Sequence, residues 1–179
     1  MSVASRIDRK SAIPAASAVE GNTAASGAAL PPNLLVNPEF AGAVAGSPGT
    51  APTDWLYSTV GTPATTVDGA AITFDATASR IIAYQAHSMV IGTYELESTV
   101  TASGAQLVDL LFTNDWDGFT TFIDGVEVPY TTAVNGTKRL KVRVVITTGR
   151  SINIYLGIGL QGSATGTATH TAPTLRQVA

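Results

Sequence analysis

Two histidines, His87 and His170, are the only imidazoles in this chain of 179 residues, and it has no cysteine. These two do not make a metal-style H-x-x-x-H pair, no G-x-S-x-G nucleophile elbow is present, and no thiolate site is available. Glu95, Glu97 and Asp109 could supply the paired carboxylates of glycoside hydrolysis. Glu95 and Glu97, however, stand two positions apart, the spacing of the wet side of a strand. The segment Asn114-Asp115-Trp116-Asp117-Gly118 brings two carboxylates and an amide together, which makes Asp115 and Asp117 candidate calcium ligands. An EF-hand loop requires an acidic ligand at its twelfth position, and none stands at the matching place, so a turn with solvated carboxylates is the competing reading. Gly157 to Gly162 spell G-x-G-x-x-G, but that fingerprint needs a following helix and an acidic residue about 20 positions on. No Asp or Glu follows Glu127, so Gly157 and Gly159 read as strand glycines beneath close packing. No enzymatic activity and no cofactor are expected.

The second chemistry available is charge. Lys138, Arg139, Lys141, Arg143 and Arg150 hold five of the ten basic residues. On a strand, Arg139, Lys141 and Arg143 form one stripe, unless the register breaks near Asn135-Gly136. Lys141 and Arg143 are expected to meet an acidic neighbouring subunit, with a solvated strand face as the plainer alternative. Arg6, Arg9 and Lys10 are the corresponding partner contacts near the N-terminus.

These groups sit in a chain that is 45% hydrophobic and only 13% charged, with net charge −3. A surface of that composition must be polar through Thr, Ser and Asn, and Thr also suits strands. The acidic balance argues against nucleic acid or anionic membrane as partner. No apolar run approaches the roughly 20 residues of a bilayer span. The N-terminal basic residues lead into a segment broken by Pro14, Glu20, Gly21 and Asn22, so no signal peptide is expected.

The elements that must position these groups divide at Pro31-Pro32. Residues 1–32 lack aromatics, are rich in Ala, Ser and Gly, and read as an extended arm that orders only on a partner. From 33 to 179 the pattern is short alternating runs between turn signals. Tyr94, Leu96, Ser98 and Val100 define one buried face; Leu140, Val142, Val144 and Ile146 a second; Ile152, Ile154, Leu156, Ile158 and Leu160 a third. Asp68-Gly69, Asp117-Gly118, Asp124-Gly125 and Asn135-Gly136 are expected hairpin turns, the last explaining an apparent glycosylation sequon. The fold class is therefore all-β: an antiparallel β-sandwich of about eight strands with a jelly-roll plan.

Asn33-Leu34-Leu35-Val36-Asn37-Pro38-Glu39-Phe40, then Gly42 and Pro52-Thr53-Asp54-Trp55, resembles the opening of carbohydrate-binding-module-like jelly rolls and of related domains in bacteriophage structural proteins. The closing Ala172 to Val178 is similar to the last strand of such domains, which pairs beside the first. Leu34, Leu35, Phe40, Trp55 and Tyr57 are expected to seed one end of the core, with Trp55 buried. The resemblance implies a glycan site of exposed aromatics, for which Trp116, Phe119 and Tyr130 are the candidates. With the arm and the Thr-rich composition, it also implies a virion component made in the host cytoplasm. On this reading the arm anchors the chain to a major capsid or tail protein, and the domain decorates or cements the particle as a dimer or trimer. A carbohydrate- or receptor-binding adhesin module is the alternative.

Overall fold

The computed structural model describes residues 29–106, 108–112, 118–159 and 164–179. The chain divides into two units, Met1–Leu30 and Pro31–Ala179, and every described strand belongs to the second. The described residues form ten strands, where about eight were expected. They are β1 (Leu56–Val60), β2 (Ala64–Asp68), β3 (Ala71–Met89), β4 (Gly92–Gln106), β5 (Val108–Phe112), β6 (Phe119–Ile123), β7 (Val126–Val128), β8 (Val134–Ile146), β9 (Arg150–Ile158) and β10 (Ala164–Gln177). All pairings are antiparallel. The larger sheet runs β2-β3-β10-β4-β8-β6-β7 and the smaller runs β1-β3-β9-β5.

The 19-residue β3 belongs to both sheets. Its first half, from Ala71, pairs with β2 and β10; its second half, to Met89, pairs with β1 and β9. Ala78, at φ +48°, is the extra residue of a bulge opposite Ala164 and Thr165. A bulge inserts one residue and so inverts the period-two phase. Ile72, Phe74 and Ala76 point inward before it; Ser79, Ile81 and Ala83 point inward after it. One strand thereby lines both walls of one core.

That core takes Leu96, Val100, Leu140, Val142, Val144 and Ile146 from the larger sheet, and Ile152, Ile154, Leu156 and Ile158 from the smaller. The expected alternation is seen at every one of these positions; Leu160 lies outside the described residues. Gly157 is a close-packing glycine, as expected. A Cβ there would lie 2.3 Å from the Ile81 carbonyl oxygen and 2.7 Å from Ile82 Cα.

Turn chemistry divides the expectations. Asp68-Gly69 joins β2 to β3, and Asp124-Gly125, at φ +50° and +83°, closes the β6–β7 hairpin. Asn135-Gly136 does not reverse the chain; it lies inside β8, with Gly136 facing Ala102. Its φ of +72° is absorbed by an irregularity in the β4–β8 ladder between Ala102 and Gln106. Asp117 lies outside the described residues.

The opening segment is tied down through one side chain. Asn33 Oδ1 accepts from Leu175 N at 2.8 Å and Leu35 N at 3.2 Å, while its Nδ2 donates to the Pro173 carbonyl at 3.1 Å. Leu34 N adds a bond to Leu175 O. β10 itself pairs with β3 and β4, so the opening segment is laced beside it rather than forming the expected first strand. Phe40 and Trp55 are buried with ring centroids 5.7 Å apart, and Trp55 Nε1 donates to Asn37 O. Leu34 departs from the expected cluster: it is 40% exposed, because the extended segment alternates and gives its inward position to Leu35.

Candidate functional site

Register on the larger sheet explains how so few charges keep this surface polar. Thr66, Thr73, Thr169, Thr101 and Thr137 face one another in a single row across β2, β3, β10, β4 and β8. Thr73 and Thr169 hydroxyls are 2.7 Å apart, and Thr101 and Thr137 hydroxyls are 2.9 Å apart. Each hydroxyl pair satisfies itself, leaving methyls between.

Beside that row lies the basic stripe. Arg139, Lys141 and Arg143 do share one face, opposite Thr99, Glu97 and Glu95 of β4. Arg143 Nε and Nη2 both donate to Glu95 Oε1, at 2.8 and 2.6 Å. Lys141 Nζ reaches Glu95 at 3.4 Å and Glu97 at 3.7 Å, and Arg139 is bonded to Glu97. Phe122 on β6 lies under both Lys141 and Arg143, 5.3 and 5.4 Å from its ring centre. The carboxylates that the stripe was expected to find on a partner are thus carried by the neighbouring strand. Burial raises the Glu95 carboxyl, but the hydrogen bond from Arg143 and the charge of Lys141 outweigh it and hold it below the usual carboxylate range. A carboxylate held ionised in this way cannot serve as the protonated acid of a glycosidase. Asp109, the third carboxylate considered, is buried on β5 of the other sheet.

Both histidines are committed to the interior or to local bonding. His170 is fully buried with its ring edge-on to Phe74, 5.7 Å between centroids. Burial lowers its pKa to about 4, against a small opposing effect of the Gly157 carbonyl. His87 Nε2 lies 2.6 Å from Gln85 Oε1, and burial lowers its pKa as well.

Of the aromatic candidates, Phe119 and Tyr130 are brought together, 5.7 Å apart and edge to face. Phe119 leans on the core while Tyr130 is 40% exposed. Trp116 lies outside the described residues, as do Asp115, Asp117, Arg6, Arg9 and Lys10. Among the described residues, no three His, Asp or Glu side chains gather as a metal site. No described helix is long and apolar enough to cross a membrane.

The aromatic surface that sequence reasoning missed is on the outer face of the smaller sheet. Leu56, Tyr84, Tyr155 and Leu111 form one register row across β1, β3, β9 and β5. The Tyr84 and Tyr155 rings stand edge to face at 5.8 Å, both half-buried. The row on one side holds Ser58, Ile82, Gly157 and Asp109 and that on the other Ala86 and Asn153; Ile82, Asp109 and Leu111 are buried, so the accessible part of this face is the β1–β3–β9 end around the two tyrosines. The signal was available: Tyr155 falls between inward Ile154 and Leu156, so it must face out. Tyr84 was harder to find, because the phase inversion at Ala78 hides which face it takes.

No family model and no curated protein matches the chain. Among solved structures it is similar to TmCBM61, a carbohydrate-binding module solved in complex with β-1,4-galactotriose, at 16% identity and a TM-score of 0.48. The match covers 82% of this chain and 99% of that one.

Proposed function

We propose that the unit Pro31–Ala179 is a non-catalytic glycan-binding module that uses the outer face of its smaller sheet. The observation that carries this is the Tyr84–Tyr155 pair, two rings 5.8 Å apart on a pleated face with Ser58 and Asn153 in the flanking rows. Aromatic faces stack on the apolar faces of sugar rings, and neighbouring hydroxyl and amide groups read their hydroxyls; this is the usual division of labour in a small-ligand site. The non-catalytic part rests on the ion-paired Glu95 and Glu97 and on the buried His170.

The test is isothermal titration of the full chain against neutral oligosaccharides chosen from a glycan-array screen. Tyr84→Ala and Tyr155→Ala each lower affinity at least tenfold with unchanged circular dichroism, and Tyr130→Ala leaves it unchanged. If no glycan gives saturable binding, or if both tyrosine variants bind as the wild type does, the reading is wrong. A place for such a module on a virion rests on composition and on the arm; cryomicroscopy of particles assembled with and without residues 1–32 tests it.

A further inference from the structure

We infer that β1 (Leu56–Val60) is a self-pairing edge, through which two copies of this chain associate about a twofold axis. The inference is independent of the glycan reading. β1 pairs with β3 through five consecutive partners without a register shift, and among the described residues no strand lies on its other side. Natural sheet edges are blunted by charge, proline, bulges or cover. The other described edges carry such devices, beginning with β5, which holds the charged Asp109 at its second position. β7 is three residues long with an exposed Glu127, and the outer side of β2 is met by Gly46 through Gly46 N to Thr65 O at 3.1 Å and Thr65 N to Gly46 O at 2.8 Å. β1, Leu-Tyr-Ser-Thr-Val, has no charge, no proline and no bulge. Its two ends are exposed aliphatics, Leu56 at 59% and Val60 at 52%.

The occupant is a second copy because the strand is self-complementary about Ser58. In antiparallel pairing on that centre, Ser58 faces the partner's Ser58, Leu56 faces the partner's Val60, and Tyr57 faces the partner's Thr59. A one-residue slip moves every apolar side chain to the opposite face, so the hydrophobic pattern selects this register. The result is a continuous sheet of twice the width with two tyrosine pairs on one face. Arg80 Nη2 lies 3.5 Å from Ser58 Oγ, so each protomer brings a cation toward the twofold axis. Association by β1 therefore strengthens as salt screens that repulsion, whereas association through the charged stripe would weaken.

Sedimentation of the full chain over a concentration series, at low and high salt, tests this. The expected result is a monomer–dimer equilibrium that tightens with salt and is abolished by Ser58→Lys, which sets two ammonium groups face to face. Circular dichroism and thermal unfolding confirm that the lysine variant is folded. The chain has no cysteine, so Ser58→Cys gives an unambiguous cross-link. Facing antiparallel residues lie about 4.5–5.5 Å apart at Cα, within disulfide reach, so this variant oxidises to a covalent dimer many times faster than Thr99→Cys on the other sheet. A dimer that survives Ser58→Lys, an assembly weakened by salt, or a monomer whose Ser58→Cys form cross-links no faster than Thr99→Cys overturns the inference.

Discussion

His170 Nε2 on β10 lies 3.4 Å from the carbonyl oxygen of Gly157 on β9, so a polar group of the larger sheet meets the backbone of the smaller across the core. Nδ1 of the same ring is buried without a hydrogen-bond partner. An imidazole placed this way is held neutral, since protonation would put a charge among Phe74 and the aliphatic core.

Stability consequently depends on pH with a definite sign. The unfolded chain takes up the His170 proton near pH 6.5, while the folded chain does so only near about 4. The unfolded state binds more protons between those values, so stability is full above about 6.5 and falls as pH drops toward 4. The loss is on the order of 3 kcal/mol when complete, and His87 adds to it in the same direction. Urea unfolding at a series of pH values measures this slope, and His170→Phe flattens it.

Gly157→Ala is expected to be strongly destabilising. The added methyl meets backbone atoms of β3, 2.3 Å from Ile81 O, which cannot move without breaking the β3–β9 ladder. The cost is about 3 kcal/mol or more, or failure to fold. Gly118→Ala meets nothing within 4 Å and stays within about 0.5 kcal/mol of wild type, and thermal unfolding of the two variants beside the wild type measures the contrast.

Glu95 joins Lys141 and Arg143, so its replacement takes the carboxylate from Arg143 and leaves Lys141 with Glu97 alone. Glu95→Gln lowers stability by about 1 kcal/mol, since these pairs are only partly shielded from water. The deficit shrinks in high salt. An equal deficit at low and high salt would mean that the side chain acts through packing rather than charge.

Asn33→Ala removes one donor and one shared acceptor at the seam between the opening segment and β10. It costs about 1–3 kcal/mol, because the Leu175 N–H is left part-buried without its partner. Asn33→Asp keeps the acceptor and loses only the donation to Pro173, so it costs less. Amide hydrogen exchange at Leu175 reads this out locally: exchange is faster in the alanine variant and near wild type in the aspartate variant.

The alternation of Tyr94 to Val100, Leu140 to Ile146 and Ile152 to Ile158 was legible in the residues, because a half-buried strand has a side-chain period of two wherever it lies. The Asp-Gly turns before β3 and after β6 were legible for the same reason: positive φ is a demand on the local residue type. Trp55 went to the core as a large aromatic usually does. Asn135-Gly136 met the same local demand but was placed in a bulge, since whether the chain reverses depends on the strand beside it.

Strand neighbours were decided only by the tertiary structure. Glu95 meets Arg143 across 48 positions, and Asn33 meets Leu175 across 142. The phase inversion at Ala78 puts Tyr84 beside Tyr155, creating an aromatic row that neither strand announces alone. Periodicity is a property of one strand's own geometry, whereas register sums many weak cross-strand contacts between segments far apart in the chain; the first is written residue by residue, and the second exists only once both sheets have closed on their core.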